Sequence, residues 1–446
     1  MPQAAGGAHA GEVSTRPGGL LWHSNFRLLW FGETISQLGN AMAVVVMPLI
    51  AVTVLHASTL TVSTLVAAAW LPWLLIGLPA GAWIDRLPPR AVLISCDVIS
   101  AALYTSIPVA AWCHVLAIGQ LLAVALLGGT ASVFFGTAYT VYLPALIGPD
   151  QLTEGNAKMF GAASAARLAG PGLAGLAAQA IGAASTLMLN AVSFLASAAC
   201  LLSLPPGGRV DRQKSTRTIR ADITDGIRMV VRDEYLRPMY LFGAAANLGL
   251  SGNAALAVVF LVRVIGVPAA VAGLLLAVPG VSGVVSALTA RRFAARTGAA
   301  RALLLAALAM IPFGLLIPLA GPGPRLAWYV AGTLIAATGT AVTSIIVFSF
   351  KQRYAPREML GRVSATSQVL LYATSPLGAV AAGVLGNAIG VRSALWIMLT
   401  IAALSGLILL TPALTRHHDL PEQVKYQKRP AATALAETEP DAGATP

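Results

Sequence analysis

Twelve runs of predominantly apolar residues leave this sequence few choices of fold. They lie near residues 26–55, 61–84, 91–113, 117–143, 157–181, 183–204, 238–261, 269–290, 301–320, 326–350, 362–386 and 392–412. A helix of about 20 apolar residues crosses roughly 30 Å of hydrocarbon, and there only a helix or a closed barrel satisfies its own backbone. The expectation is an all-α membrane protein with twelve transmembrane helices. Composition agrees: 10% of residues are charged, against roughly a quarter in soluble proteins. The net charge of +12 would suggest nucleic acid for a soluble chain. Here basic residues gathered in cytoplasmic loops account for it, and no nucleic-acid partner is expected. Cys96, Cys113 and Cys200 lie in or at the ends of apolar runs and read as small core residues without a disulfide framework. The first 19 residues hold no apolar signal-peptide core, so the first run reads as a retained helix.

One break differs from the others. Residues 205–237 form a long charged linker that divides the chain into six spans plus six. The expected layout is an unstructured tail over 1–24, a six-helix bundle over 25–204, the linker over 205–237, a second bundle over 238–412 and an unstructured tail over 413–446. Within the linker, Ile219, Ile223, Ile227 and Val230 recur at helical spacing between charges, which predicts an amphipathic helix at the membrane surface. Orientation follows from Lys and Arg. With both termini in the cytoplasm, 25 of the 29 basic residues fall on the cytoplasmic side, and only Arg263, Arg325 and Arg392 lie outside.

Between the second and third spans lies a short charged hairpin, GLPAGAWIDRLPPR, from Gly77 to Arg90. Its Gly81, Asp85, Arg86 and Arg90 follow the pattern Gly-x-x-x-Asp-Arg-x-x-x-Arg. Between spans eight and nine, Arg292 and Arg296 repeat the spacing of Arg86 and Arg90, with Arg291 in place of the acid. Two six-helix halves with related loops indicate an internally repeated transporter. The hairpin resembles the cytoplasmic loop signature of the major facilitator superfamily. Further stretches resemble its bacterial efflux branch, which includes macrolide, multidrug and enterobactin exporters: Asn25–Met42, Tyr142–Ala157, Ala166–Leu176, Asp225–Met239 and Leu360–Gly383.

The resemblance implies proton-coupled export by alternating access from the inner membrane of a bacterium, by two pseudo-symmetric six-helix bundles acting as a monomer. A hydrophobic or amphiphilic small molecule is the implied cargo. It also places Asp85 near the start of span eleven, around Gly361 and Arg362, where a helix N-terminus attracts a carboxylate. That contact would latch the cytoplasmic side, with Arg86 and Arg90 in the same cluster. Gly170, Pro171, Gly172 and Gly175 resemble the fifth-helix signature of antiporters. Independently, Pro bends a helix and small residues permit close packing, so this helix should be tightly apposed to a neighbour.

Three charges lie well inside spans: Glu33, Asp97 and Arg167. At 1.5 Å rise per residue all three sit roughly 10–15 Å from the cytoplasmic surface. Each needs a partner or a wet cavity. The expectation is that Arg167 pairs with Glu33 or Asp97, that Glu33 carries the coupling proton, and that Asp97 is structural. Candidate cavity residues are Asn40, Met42, Phe135, Tyr139, Asn247, Asn253 and Phe348, on spans one, four, seven and ten. No metal-ligand pattern, nucleophile elbow or phosphate loop occurs, and no cofactor or enzymatic activity is expected. An uptake permease and a non-transporting membrane sensor or scaffold are the alternative readings.

Overall fold

The computed structural model describes residues 19–84, 86–148, 151–205, 228–354, 357–416 and 419–421, and no strand occurs among them. The long helices are α1 (Ser24–Thr53), α2 (Thr59–Ile84), α3 (Pro89–Trp112), α4 (Ile118–Ile147), α5 (Leu152–Ile181), α6 (Ala183–Leu202), α7 (Leu236–Val259) and α8 (Ala269–Thr297). They are followed by α9 (Ala299–Leu305), α10 (Leu326–Tyr354), α11 (Arg357–Ile389), α12 (Val391–Ser405) and a short α13 (Pro412–Thr415). The twelve expected spans correspond in order to α1 through α12. Among the described residues, eleven segments are long and apolar enough to cross a membrane. The twelfth is α5, thirty residues long, whose Ala- and Gly-rich sequence also carries Glu154, Lys158 and Arg167.

Local sequence explains where helices change character. Pro89 opens α3, where its missing N–H costs nothing. Span nine is only briefly an α-helix: after α9 it widens to a π-turn over Ala306–Met310 and tightens to 3-10 over Ile311–Leu319. Pro312 and Pro318 lie in that last stretch and withhold backbone donors. α7 likewise ends in a π-turn, Phe260–Ile265, closed by Gly266 in the left-handed region at φ +80°.

The chain separates into two compact units. The first comprises Met1–Gln213 with Ala255–Gly280, the second Lys214–Ala254 with Val281–Pro446. In the first, α1 packs on α5 and α6, α3 on α4 and α6, and α2 on α4. One apolar cluster there joins Leu20, Phe26, Ile84, Leu93, Tyr142 and Leu201. In the second, α10 and α12 pack on the 3-10 segment of span nine, and α11 packs on α12. Asp233 ties this unit together: its Oδ1 accepts the N–H groups of Tyr235 and Leu236 at 2.9 and 2.8 Å, and its Oδ2 accepts the Tyr354 hydroxyl at 2.8 Å. One carboxylate thus caps the start of α7 and holds the end of α10.

The ordered structure reaches into both expected tails. Leu20 is buried, and its N–H donates to Glu154 Oε1 at 2.8 Å. That bond and Lys158, 3.2 Å away, hold the Glu154 carboxyl below the usual range. Leu414 is buried in the core of the second unit. Both leucines follow Gly-, Pro- or charge-rich sequence, and composition averaged over a tail hides a single anchoring side chain. Of the expected linker helix, Ile219, Ile223 and Ile227 lie outside the described residues. Residues 228–232 are helical and Val230 packs in the core of the second unit.

Candidate functional site

Five helices of the first unit turn one polar or aromatic stripe each toward a common space. On α1 the stripe is Glu33, Gln37 and Asn40, on α3 Asp97, Ser100 and Tyr104, and on α4 Ser132, Phe135 and Tyr139. These are spacings of three or four, so each set shares a helix face. α2 adds Trp70 and Trp73, and α5 adds Asn156, Met159 and Phe160, with Phe194 of α6 completing the wall. The cavity they enclose measures about 770 Å³, within the range of drug-sized ligand sites.

Its polar groups are under-satisfied. Gln37 Nε2 donates to Glu33 Oε1 at 2.7 Å, but Glu33 Oε2 is buried without a hydrogen-bond partner. Asp97 is 1% exposed, and its Oδ2 also lacks a partner, as does the Tyr139 hydroxyl. Glu33 lies within electrostatic reach of both Asp97 and Tyr139. Buried polar atoms are nearly always paired, and the exceptions concentrate where a ligand or proton completes the site.

The expected site residues fare unequally. Glu33, Asp97, Asn40, Phe135 and Tyr139 come together around the cavity. Asp97, expected to be structural, lines the same space as Glu33. Met42 is buried but does not line it. Arg167 is exposed on α5, outside the lining, and makes no ion pair with Glu33 or Asp97. The flexible stem that would let a guanidinium reach inward also lets it reach outward. In the second unit, Asn247 Nδ2 donates to Leu371 O, Thr374 Oγ1 and Ser375 Oγ at 3.1, 2.8 and 3.0 Å, tying α7 to α11. Asn253 is half-buried, and Phe348 is exposed beneath Lys351 Nζ at 5.0 Å. Sequence reasoning missed Trp70, Trp73 and Tyr104. The Trp-x-x-Trp spacing on span two was the available signal.

The hairpin divides likewise. Asp85 lies outside the described residues. Gly81 has open space around it and Arg86 is exposed. Arg90 has a defined structural role, because its Nε and Nη2 donate to the carbonyls of Leu201 and Leu202 at 2.8 and 2.7 Å. It thereby satisfies the orphan carbonyls at the end of α6.

The antiporter-like stretch packs as tightly as its composition predicts. α5 continues unbroken through Pro171. A Cβ at Gly170 would lie 3.1 Å from the carbonyl carbon of Ala41 in α1. One at Gly175 would lie 2.8 Å from Gly273 Cα and 2.5 Å from Ala269 O, at the start of α8. Gly172 sits nearby, 3.5 Å by the same measure from Leu274. Glycine facing glycine lets the two backbones touch.

Comparison with known proteins agrees with this architecture. Residues 29–379 match the family model described as Major Facilitator Superfamily. An uncharacterized MFS-type transporter, y4rN, of Sinorhizobium fredii is 28% identical over 362 residues, covering 80% of this chain and 87% of that one. The multidrug efflux pump Tap of Mycolicibacterium fortuitum is 27% identical over 376 residues, covering 82% and 90%. Among solved structures, the nucleoside transporter NupG superposes with a TM-score of 0.72 at 14% identity, covering 88% of this chain and 100% of that one.

Proposed function

The chain belongs to the major facilitator superfamily, and on that premise we propose that it exports a hydrophobic or amphiphilic small molecule in exchange for protons. The observation that carries this reading is the cavity of the first unit, apolar and aromatic over most of its wall, with Glu33, Asp97 and Tyr139 each presenting a buried, unpartnered oxygen. Apolar walls suit an amphiphilic cargo. An acid pair with no basic neighbour in its cavity needs positive charge from outside the protein, and a proton supplies it. Relatives named as multidrug efflux pumps support the outward direction.

In this reading Glu33 carries the coupling proton, and alternating access of two six-helix bundles exposes it to each side in turn. Asp85 latches the cytoplasmic side, while Arg90 holds α6. The protein resides in the bacterial inner membrane with both termini in the cytoplasm. The experiment has two arms. Cells lacking their own pumps should accumulate less drug when they express the chain, and a protonophore should abolish the difference. In proteoliposomes, Glu33→Gln should remove the drive that a pH gradient gives to transport. Drive unchanged in Glu33→Gln would remove Glu33 from the coupling role, and inward rather than outward drug movement would make the chain an uptake permease.

A further inference from the structure

The charge of the cavity wall specifies more than an amphiphile. Its described lining residues include two carboxylates and no Lys, Arg or His. Asp97 is 1% exposed, lines the cavity and leaves Oδ2 without a hydrogen-bond partner. Glu33 Oε2 and the Tyr139 hydroxyl are in the same condition. A buried anion that the protein leaves unpaired is costly, so the site favours any ligand that brings positive charge. The surrounding rings reinforce this, because the face of an aromatic ring is the negative end of its quadrupole. Glycines make room for two of them. A Cβ at Gly136 would lie 3.2 Å from the Trp73 ring, and one at Gly128 would lie 3.5 Å from the Tyr104 hydroxyl.

We propose that this cavity binds a lipophilic organic cation, a quaternary onium or protonated amine bearing apolar groups. Asp97 is its counter-charge, and Trp70, Trp73, Tyr104 and Phe135 are its cage. An organic anion would meet two carboxylates and the faces of the rings, with no cationic donor to hold it. A neutral ligand would fill the space and leave the carboxylates unpaired, which is discrimination by desolvated charge. The cation would replace the proton as the source of positive charge, so ligand and proton exclude one another through chemistry the walls already contain. The assignment rests on the exporter reading for its transport role but not for binding.

The test uses two probes of nearly equal shape and opposite charge, tetraphenylphosphonium and tetraphenylborate. Binding to the full-length protein in detergent is measured by equilibrium dialysis against protein-free micelles. Tetraphenylphosphonium should bind at least about tenfold more tightly than tetraphenylborate. Asp97→Asn should weaken tetraphenylphosphonium by about tenfold or more. If that variant does not purify as a monodisperse protein, Glu33→Gln carries the test with the same expected direction. Equal or tighter binding of tetraphenylborate would overturn the proposal. So would tetraphenylphosphonium affinity within about twofold of the parent in both variants. Selective cation binding without export of any compound would defeat the exporter reading and leave the cation site standing. Export of anionic or neutral drugs without tetraphenylphosphonium binding would do the reverse.

Discussion

Two glycines on α5 show how much a single methyl group decides. At Gly175 an added Cβ meets backbone, Ala269 O at 2.5 Å and Gly273 Cα at 2.8 Å, and backbone has no rotamer to yield. At Gly161 nothing lies within 4 Å. Gly175→Ala should therefore destabilise the protein by about 1–3 kcal/mol, the usual penalty of overpacking. Gly161→Ala should be neutral or stabilising by up to about 1 kcal/mol, through helix propensity alone. Thermal unfolding of the two variants in the same detergent separates them, and equal melting temperatures would refute the close contact. The tightness at Gly175 was legible, since Gly-Pro-Gly and a further Gly in a span have few other uses. Its partner was not, because Gly273 sits in an ordinary run, VAGLLLAV, that any span might contain. The same limit explains the intramembrane charges. Rise per residue put Glu33, Asp97 and Arg167 at one depth. Depth fixes height along the helix, while the end position of a long guanidinium stem depends on rotamers and neighbours that sequence does not state.

At the scale of elements, the two halves repeat a detail too small for hydropathy to register. α5 and α6 are joined through the single residue Gly182, and α11 and α12 through Gly390. Their backbones are nearly identical, φ +88°, ψ 149° and φ +89°, ψ 150°. That region is essentially open to glycine alone. No atom lies within 4 Å of where either Cβ would stand, so any penalty comes from the backbone and not from a clash. Gly182→Ala and Gly390→Ala should each cost about 1–3 kcal/mol, read as matching falls in melting temperature. A loss at one position only would mean that the two turns are not equivalent. Apolar runs located the spans because burial in lipid is a sum over many residues. They misjudged the ends, as at α5, which starts at Leu152 and not near 157. Helices continue past the hydrocarbon boundary wherever backbone bonding allows, and hydropathy falls before helicity does. The interior of span nine was equally opaque. Its apolar run is continuous, yet Pro312 and Pro318 lie in a 3-10 stretch.

For the whole molecule, the charged linker announces two halves, but the compact units divide elsewhere, because Ala255–Gly280 packs with the first unit. The contact of Gly175 with Gly273 supplies a physical reason: a seam between bare backbones draws the start of α8 onto α5. Sequence order and spatial order differ wherever such a seam joins distant segments. Orientation, by contrast, is written in composition, since 25 of the 29 Lys and Arg fall on one side of the alternating spans. A native thiol provides the check. Cys113 is exposed and caps the end of α3, which the charge count places outside the cell, whereas Cys96 is buried and Cys200 half-buried. A membrane-impermeant maleimide added to intact cells should label the protein, and Cys113→Ser should abolish the labelling. Labelling of Cys113 only after permeabilisation would put the end of α3 in the cytoplasm. The linker and both termini would then lie outside, and Asp85 could no longer latch a cytoplasmic gate. Orientation is therefore the premise to test first, because the direction of export and the side from which Glu33 takes its proton both depend on it.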